Sequence, residues 1–150
     1  MELKTSYASD NYPIIVEHHA INSLEIYIKN EEQRFFIIDK QVYNLFVDKL
    51  EALAQKLDAK CIVIPSGETS KSFEHYHRTI EYLLSHQLTR QTCIVAIGGG
   101  ATGDFAGFIA ATLLRGVSFV QVPTTILAHD SSVGGKVGIN SEHGKNLIGA

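Results

Sequence analysis

The chain has 150 residues, of which 45% are hydrophobic and 19% charged, a composition typical of a globular protein with its own core. Its formal net charge of −3 argues against nucleic-acid binding through a basic surface. No apolar run approaches the roughly 20 residues of a membrane span. The two cysteines, Cys61 and Cys93, have the pattern of neither a disulfide framework nor a metal knuckle. We therefore expect a cytoplasmic protein that binds neither nucleic acid nor membrane.

Short apolar runs alternate along the chain with segments in which apolar residues recur every three or four positions. The runs are typical of buried strands, and the recurring positions are typical of helices. In chain order, the predicted strands are 14–16, 35–38, 62–64, 94–97 and 119–122, and the predicted helices are 42–57, 73–84 and 105–113. This alternation predicts an α/β fold in which a parallel sheet is flanked by helices.

Polar residues and glycines follow the predicted strands. Asp39 follows strand 35–38, the loop SGETSK follows 62–64, three glycines follow 94–97, and Thr124 and Thr125 follow 119–122. Parallel sheets bind ligands at the carboxyl ends of their strands. We therefore expect a ligand site at this edge.

The segment 98–103 fits the pattern G-x-G-x-x-G between a predicted strand and a predicted helix. Its free N–H groups and the positive end of the helix dipole suit a pyrophosphate. A conventional dinucleotide-binding unit also has an acid about 20 residues later, but none lies between Asp104 and Asp130. If a dinucleotide binds, we expect its adenosine ribose to meet Asp39. The alternative is a tight strand-to-helix turn without a ligand.

The second half of the chain is rich in glycine and poor in charge. Residues 91–150 hold 11 of the 12 glycines, and the charged side chains between positions 91 and 135 are Asp104, Arg115 and Asp130. Charges in such a setting are usually paired or functional, because an unpaired buried charge is costly. Lys136 and Lys145, each beside glycines, suit an anionic ligand, and the alternative is a solvated loop. The seven histidines lack metal-ligand spacing, so no metal site is expected in the chain.

Five motifs in this order, SGETSK, GGGATGDFAGFIAATLLRG, QVPTT, DSSVGGK and GKNLIGA, resemble the 3-dehydroquinate synthase family. The resemblance implies the dehydroquinate synthase-like nucleotide-binding fold, shared with glycerol dehydrogenase and iron-dependent alcohol dehydrogenases, which is not a conventional Rossmann unit. It implies NAD as cofactor, a sugar-phosphate substrate and a homodimer. It also implies a divalent metal, zinc or cobalt, held by a C-terminal helical domain outside this chain. We expect residues 1–150 to be an N-terminal NAD-binding domain, truncated near its end and inactive alone.

The resemblance implies a role for each matching residue. Asp39 is expected to hold the adenosine ribose, and Thr124 and Thr125 to add hydroxyl contacts to the cofactor. Arg115 is expected to reach the substrate phosphate across a dimer interface. The other expected cofactor contacts are Glu68, Lys71, Gly99, Gly100, Ala101, Thr102, Gly103 and Asp104. With Arg115, the expected catalytic residues are Asp130, Lys136, Lys145 and Asn146, and both lysines are also expected to reach the cofactor.

The implied reaction converts 3-deoxy-D-arabino-heptulosonate 7-phosphate into 3-dehydroquinate and phosphate, a step of the shikimate pathway. It would proceed by transient NAD-dependent oxidation, phosphate elimination, re-reduction and aldol cyclisation. Three alternatives remain open: another sugar-phosphate cyclase of the same fold, a polyol or alcohol dehydrogenase, and a non-catalytic nucleotide-binding module.

Overall fold

The computed structural model describes residues 1–8 and 11–150, which form a four-stranded sheet, two hairpin-like strand pairs and six helices. The strands are β1 (Glu2–Lys4), β2 (Pro13–Ile15), β3 (Gln33–Asp39), β4 (Ala59–Ile64), β5 (Thr92–Gly98), β6 (Ser118–Pro123), β7 (Gly138–Ser141) and β8 (Gly144–Gly149). The helices are α1 (Leu24–Ile28), α2 (Lys40–Leu45), α3 (Val47–Lys56), α4 (Phe73–Leu84), α5 (Gly100–Thr112) and α6 (Ile126–Ser131). Three 3-10 turns span Ala20–Ser23, Gly67–Lys71 and Leu113–Arg115.

The central sheet has the strand order β4-β3-β5-β6, and its strands are parallel. The chain moves from β3 to β4 in one direction and from β5 to β6 in the other, so the order reverses between β3 and β5. A parallel sheet opens a crevice at such a reversal, outside the carboxyl ends of its strands. The register pairs Ile38 with Ile97, so Asp39 and Gly98 follow them at the same edge.

Both faces of the sheet are buried, which explains why its strands read as continuous apolar runs. Phe35 and Ile37 pack into one core with residues of α4 and α5. Phe36 and Ile38 point to the opposite face and pack with α1 and α3. Right-handed crossover connections account for this division of the helices between the two faces. The structure therefore confirms the predicted parallel sheet between helices.

The predicted helix 42–57 is two helices, α2 and α3. The break is at Phe46, whose φ of −128° and ψ of 28° are not helical. The expected apolar face is therefore only partly right, because Leu50 and Leu57 are buried while Phe46 is exposed. Sequence periodicity missed the break because apolar residues keep helical spacing from Phe46 to Leu57. Phe46 also still donates its N–H to the Val42 carbonyl, as in a continuous helix. The strand pairs β1–β2 and β7–β8 and the short helices α1 and α6 were also not predicted in full.

Helix α5 is enclosed on more than the single apolar face that the sequence predicts. It packs against the sheet on one side and against the Gly67–Lys71 turn and β7 on others. Gly107 allows the close approach of β7, because a Cβ there would collide with Val137 Cγ1 and lie 2.9 Å from Phe119 Cε1. Despite this burial, none of the helices in the described residues is long and apolar enough to cross a membrane.

We predict that Gly107→Ala lowers the free energy of unfolding, measured by urea denaturation. Helix propensity alone favours alanine by about 1 kcal/mol, but overpacking costs about 1–3 kcal/mol. The control is Ala111→Gly at an exposed position of α5, which should lose about 1 kcal/mol through propensity alone. A Gly107→Ala protein more stable than the parent would contradict the packing of β7 on α5.

The two cysteines are predicted to be unreactive in the folded protein. Burial raises the pKa of the Cys93 thiol to about 12 and that of Cys61 to about 11. At pH 8 the thiolate fractions are then about one in ten thousand and about one in a thousand. A chromogenic disulfide reagent at pH 8 should label both thiols slowly, and faster as the pH rises. Unfolding in guanidinium chloride should expose both thiols to rapid labelling. Rapid labelling of the native protein would contradict the prediction.

Candidate functional site

Asp39 lies at the strand-order reversal and forms the N-cap of α2. Its Oδ1 accepts hydrogen bonds from the N–H groups of Gln41, at 2.8 Å, and Val42, at 3.2 Å. The Ser66 hydroxyl donates a third hydrogen bond to the same oxygen, at 2.8 Å. Such bonds satisfy otherwise unpaired donors at a helix start. They also fix the orientation of a carboxylate at the edge of the crevice.

The glycine segment turns the chain from β5 into α5. The Gly98 carbonyl accepts the N–H of Thr124 at 2.9 Å, and the Gly99 carbonyl accepts the N–H of Gly103 at 3.1 Å. The first N–H groups of an α-helix have no partner within the helix, and the helix dipole adds positive potential there. The start of α5 at Gly100 therefore offers donors for an anion beside Asp39.

Position 98 has to be glycine because two neighbouring side chains occupy the space that a Cβ would fill. A Cβ at Gly98 would lie 2.6 Å from Thr102 Oγ1 and 2.9 Å from Asp39 Cβ. Thr102 is 1% exposed, and its hydroxyl oxygen has no hydrogen-bond partner among residues 1–8 and 11–150. An unpaired buried hydroxyl is unusual and unfavourable. A buried polar atom that has no partner in the described part of the chain therefore lies beside the glycine segment.

Lys71 is the centre of a second group of predicted site residues. Its side chain is 1% exposed, and Nζ donates to Asp104 Oδ2 at 2.8 Å and to Asn146 Oδ1. Glu68 Oε2 is 3.8 Å from the same nitrogen. A buried ammonium group requires such partners because leaving water is costly. The Gly67–Lys71 turn, α5 and β8 are thus joined around one charge, a group that we call the lysine network (Glu68, Lys71, Asp104, Asn140 and Asn146).

Asn140 connects Glu68 to this network. Its Nδ2 donates to Glu68 Oε2 at 2.8 Å. This hydrogen bond lowers the pKa of Glu68 below its ordinary value, and the charges of Lys71 and Lys145 act in the same direction while burial opposes them. Glu68 is therefore ionised at neutral pH, and Lys145 lies close enough for its charge to be felt.

Arg115, Asp130 and Lys136 are exposed and do not join the lysine network. Asp130 Oδ1 is 3.1 Å from His129 Nδ1. Arg115 follows the far end of α5, about 20 Å from the glycine segment by helix geometry. Leu114, Arg115 and Gly116 have φ values of 50°, 68° and 119°. Two non-glycine residues in the left-handed region carry backbone strain, which is often stored at functional sites.

The predicted site residues thus divide into three sets. Asp39, the glycine segment, Thr124 and Thr125 meet at the crevice, where a Cβ at Gly99 would lie 3.4 Å from Thr125 Cγ2. Glu68, Lys71, Asp104 and Asn146 form the lysine network, with Lys145 beside it. Arg115, Asp130 and Lys136 stand apart from both. Asp104 belongs to α5, which carries both the glycine segment and part of the lysine network.

Sequence reasoning missed three residues of the site. Ser66 was included in a motif but given no role, although it contacts Asp39. Asn140 was not singled out, because its partner Glu68 is 72 residues away. Gln121 Nε2 donates to the Ser132 carbonyl at 3.1 Å and so holds the segment that leads to Lys136. A polar side chain within the apolar run of β6 was the available signal for Gln121.

The described residues offer no set of ligands for a metal ion. Within residues 1–8 and 11–150, no three or more His, Cys, Asp or Glu side chains lie together in a way that could hold one. The site on this chain is therefore built from backbone donors, hydroxyl groups, carboxylates and lysines.

The fold is found in solved structures of enzymes. A 2-deoxy-scyllo-inosose synthase complexed with carbaglucose-6-phosphate, NAD+ and Co2+ matches with a TM-score of 0.86 and 31% sequence identity. The match covers 100% of this chain and 43% of that one. The 2-epi-5-epi-valiolone synthase ValA from Streptomyces hygroscopicus, with NAD+ and Zn2+ bound, matches with a TM-score of 0.79 over 97% of this chain and 42% of its own. Its 23% identity supports the fold alone. The fold is therefore the dehydroquinate synthase-like nucleotide-binding fold.

Sequence comparison is more specific. The family model of the N-terminal part of 3-dehydroquinate synthase matches residues 61–150. The 3-dehydroquinate synthase of Staphylococcus epidermidis is 98% identical over 150 residues, and that of Staphylococcus aureus is 61% identical over the same length. The chain belongs to the 3-dehydroquinate synthase family. It spans 42% of the length of each of these relatives.

We predict that Thr102→Val raises the free energy of unfolding of the ligand-free protein by about 1 kcal/mol, because it removes a buried hydroxyl that is unpaired within residues 1–8 and 11–150. Urea denaturation measures the change. The control is Thr112→Val in the same helix, where Oγ1 donates to the Phe108 carbonyl at 2.7 Å and accepts from the Tyr76 hydroxyl at 2.9 Å. That variant should lose stability. A large loss on Thr102→Val would mean that the Thr102 hydroxyl is paired.

Proposed function

We propose that residues 1–150 are the N-terminal NAD-binding part of a cytoplasmic 3-dehydroquinate synthase. The whole enzyme converts 3-deoxy-D-arabino-heptulosonate 7-phosphate into 3-dehydroquinate and phosphate in the shikimate pathway. The observation that carries the proposal is that α5 joins a glycine-lined crevice to a network around a buried lysine. The 98% identity to a synthase from Staphylococcus epidermidis supports it for the residues that this chain covers.

The crevice suits NAD. The start of α5 presents free backbone donors to a pyrophosphate through Gly99, Gly100 and Ala101. The Asp39 carboxylate is oriented to accept hydrogen bonds from the hydroxyls of the adenosine ribose. The additional cofactor contacts come from Thr102, whose hydroxyl has no partner among the residues that the structure describes, and from Gly103, Asp104, Thr124, Thr125, Glu68 and Lys71. When bound, NAD+ supplies the hydride acceptor for a substrate hydroxyl and returns the hydride after phosphate has left.

The buried network positions the residues that hold the anionic substrate. The amide of Asn146 is fixed by Lys71, which places the neighbouring Lys145 near Glu68. Lys145 and Lys136 bind phosphate or carboxylate oxygens as cations. Asp130 accepts hydrogen bonds from substrate hydroxyls. The protein thus contributes position and electrostatic field around the reacting atoms.

We propose that Arg115 serves a second subunit of a homodimer. Its side chain is exposed, and it follows the end of α5 that is opposite the glycine segment, where Leu114 and Arg115 have left-handed backbone conformations. A substrate phosphate held across a subunit interface would use this guanidinium as a bidentate partner. The strained backbone would then be retained for binding.

A divalent metal, zinc or cobalt, would be held outside residues 1–150. The inosose synthase and ValA were solved with Co2+ and Zn2+, while the described residues here offer no ligand set. A C-terminal helical domain would supply the ligands. Ile126 and Leu127, at the start of α6 beside the glycine segment, are 90% and 83% exposed, and such a domain would cover them.

The runner-up is another sugar-phosphate cyclase of the same fold. The 31% identity to 2-deoxy-scyllo-inosose synthase, a structure complexed with carbaglucose-6-phosphate, favours it over the remaining alternatives. A protein described as a probable glycerol dehydrogenase, from Sinorhizobium meliloti, shares the fold alone, with a TM-score of 0.55 and 21% identity. The substrate assay therefore has to distinguish among sugar phosphates.

The experiment measures phosphate release from 3-deoxy-D-arabino-heptulosonate 7-phosphate with NAD+ and zinc. It uses the protein extended to the length of its relatives, with the 150-residue chain assayed in parallel. We expect release by the extended protein and none by the 150-residue chain, because the metal ligands are proposed to lie outside it. Glucose 6-phosphate replaces the heptulosonate phosphate as the control substrate.

Release from glucose 6-phosphate instead would support the other cyclase. Absence of release from both substrates, with the extended protein folded and binding NAD+, would overturn a cyclase function. Release by the 150-residue chain alone would overturn the proposed division of the site between two domains.

A further inference from the structure

We propose that Asn140 is a positioning residue that holds the β7–β8 hairpin on the Gly67–Lys71 turn. The inference rests on the function proposed above, to which it adds a residue that touches neither substrate nor cofactor. Its role is to determine where Lys145 and Asn146 lie relative to the rest of the site.

Both ends of the Asn140 side chain are used. Nδ2 donates to Glu68 Oε2 at 2.8 Å, and Oδ1 accepts the backbone N–H of Asn146 at 3.0 Å. Three segments, namely the Gly67–Lys71 turn, β7 and β8, therefore meet at one amide. Aspartate at this position would keep the acceptor and lose the donor, and alanine would lose both.

The backbone pairing of β7 with β8 is irregular at Asn140, so its side chain connects the two strands there. The pairing of β7 with β8 is regular at Ile139 but shifts before Ser141. Such irregularities interrupt the ladder and re-aim side chains, and they are common beside functional sites. The Asn140 amide thus replaces a ladder contact across the hairpin.

The hydrogen bond to Asn146 has a consequence for Lys71. Asn146 has a φ of 57°, in the left-handed region that asparagine tolerates better than most residues. In that conformation its side chain accepts a hydrogen bond from the Lys71 ammonium group. Asn140 therefore stabilises the backbone conformation in which the Asn146 amide oxygen accepts a hydrogen bond from the buried ammonium group.

Lys145 is carried by the same hairpin. It directly precedes Asn146, whose backbone N–H is held by the Asn140 side chain. A hairpin released from the turn would move Lys145 away from the anion that it is proposed to bind. Small displacements of positioning groups cause large losses of rate.

The test exchanges the donor and the acceptor between Asn140 and Glu68. In the extended protein, Asn140→Asp faces Glu68 with a second carboxylate and removes the donor. Adding Glu68→Gln restores a donor from the other side, because the introduced amide can donate to the introduced carboxylate. The Glu68→Gln single variant is the reference for the double variant. Asn30→Asp makes the same chemical change at an exposed position preceding β3.

We expect Asn140→Asp to lower kcat/KM for phosphate release at least about tenfold, the effect of losing a hydrogen bond to a charged group. The double variant should recover to within about threefold of Glu68→Gln, and Asn30→Asp should change by less than about twofold. Thermal melting is measured for each variant, and assays are run well below every midpoint. A merely structural role predicts losses that follow the unfolded fraction, without recovery in the double variant.

Wild-type activity of Asn140→Asp, or a double variant that lies as far below Glu68→Gln as Asn140→Asp lies below the parent, would overturn the inference. If the extended parent releases no phosphate, the proposed function fails separately. The same four proteins are then compared by their NAD+ dissociation constants from calorimetry. Weakened binding in Asn140→Asp that the double variant restores would support the positioning role, and its absence would overturn it.

Discussion

The buried ammonium group of Lys71 is the constraint on which the site depends. A charge with 1% exposure must be neutralised by the protein itself, and its partners come from segments far apart in sequence. Asp104 is supplied by α5, Asn146 by β8 and Glu68 by the same turn as Lys71. The need to satisfy one charge thus brings α5 and the hairpin together at the edge of the sheet.

Close packing around α5 makes this arrangement possible. Gly98 lets Thr102 and Asp39 approach each other, and Gly107 lets Val137 of the hairpin segment approach α5. The glycines of this helix therefore serve two purposes: those at its start expose backbone donors, and Gly107 allows a neighbouring element to dock. The proposed ligand binding and the packing of the hairpin thus both depend on helix positions that carry no side chain.

The parts of the fold that follow local patterns could be predicted from sequence. Buried strands read as apolar runs, and the rule that parallel strands present ligands at their carboxyl ends located Asp39 and the glycine segment. The conventional test finds no acid after the glycines, and Asp39, which we propose for that role, ends β3, a strand that neighbours β5 in the sheet although it precedes it in sequence. The apolar pattern does not encode the order of the strands in the sheet, and so it could not show that Asp39 lies beside the glycine segment.

The remainder depends on contacts between distant residues. The bond from Asn140 to Glu68 spans 72 residues and that from Lys71 to Asn146 spans 75, so neither leaves a periodic signal. The break at Phe46 was missed for a different reason, because apolar residues continue at helical spacing through it to Leu57. The left-handed backbone at Leu114 and Arg115 was not predicted, because no local turn motif in the sequence indicates it.

The long separation between Lys71 and Asn146 also affects when each becomes available during synthesis of the chain. A ribosome adds roughly 5–20 residues per second, so Asn146 is made about 4–15 seconds after Lys71. Until then the turn can pair its lysine with carboxylates from Glu68 and α5 but lacks the amide from the hairpin. The nascent sheet can therefore form before its functional edge is complete, and the last element to arrive is the one that closes the network.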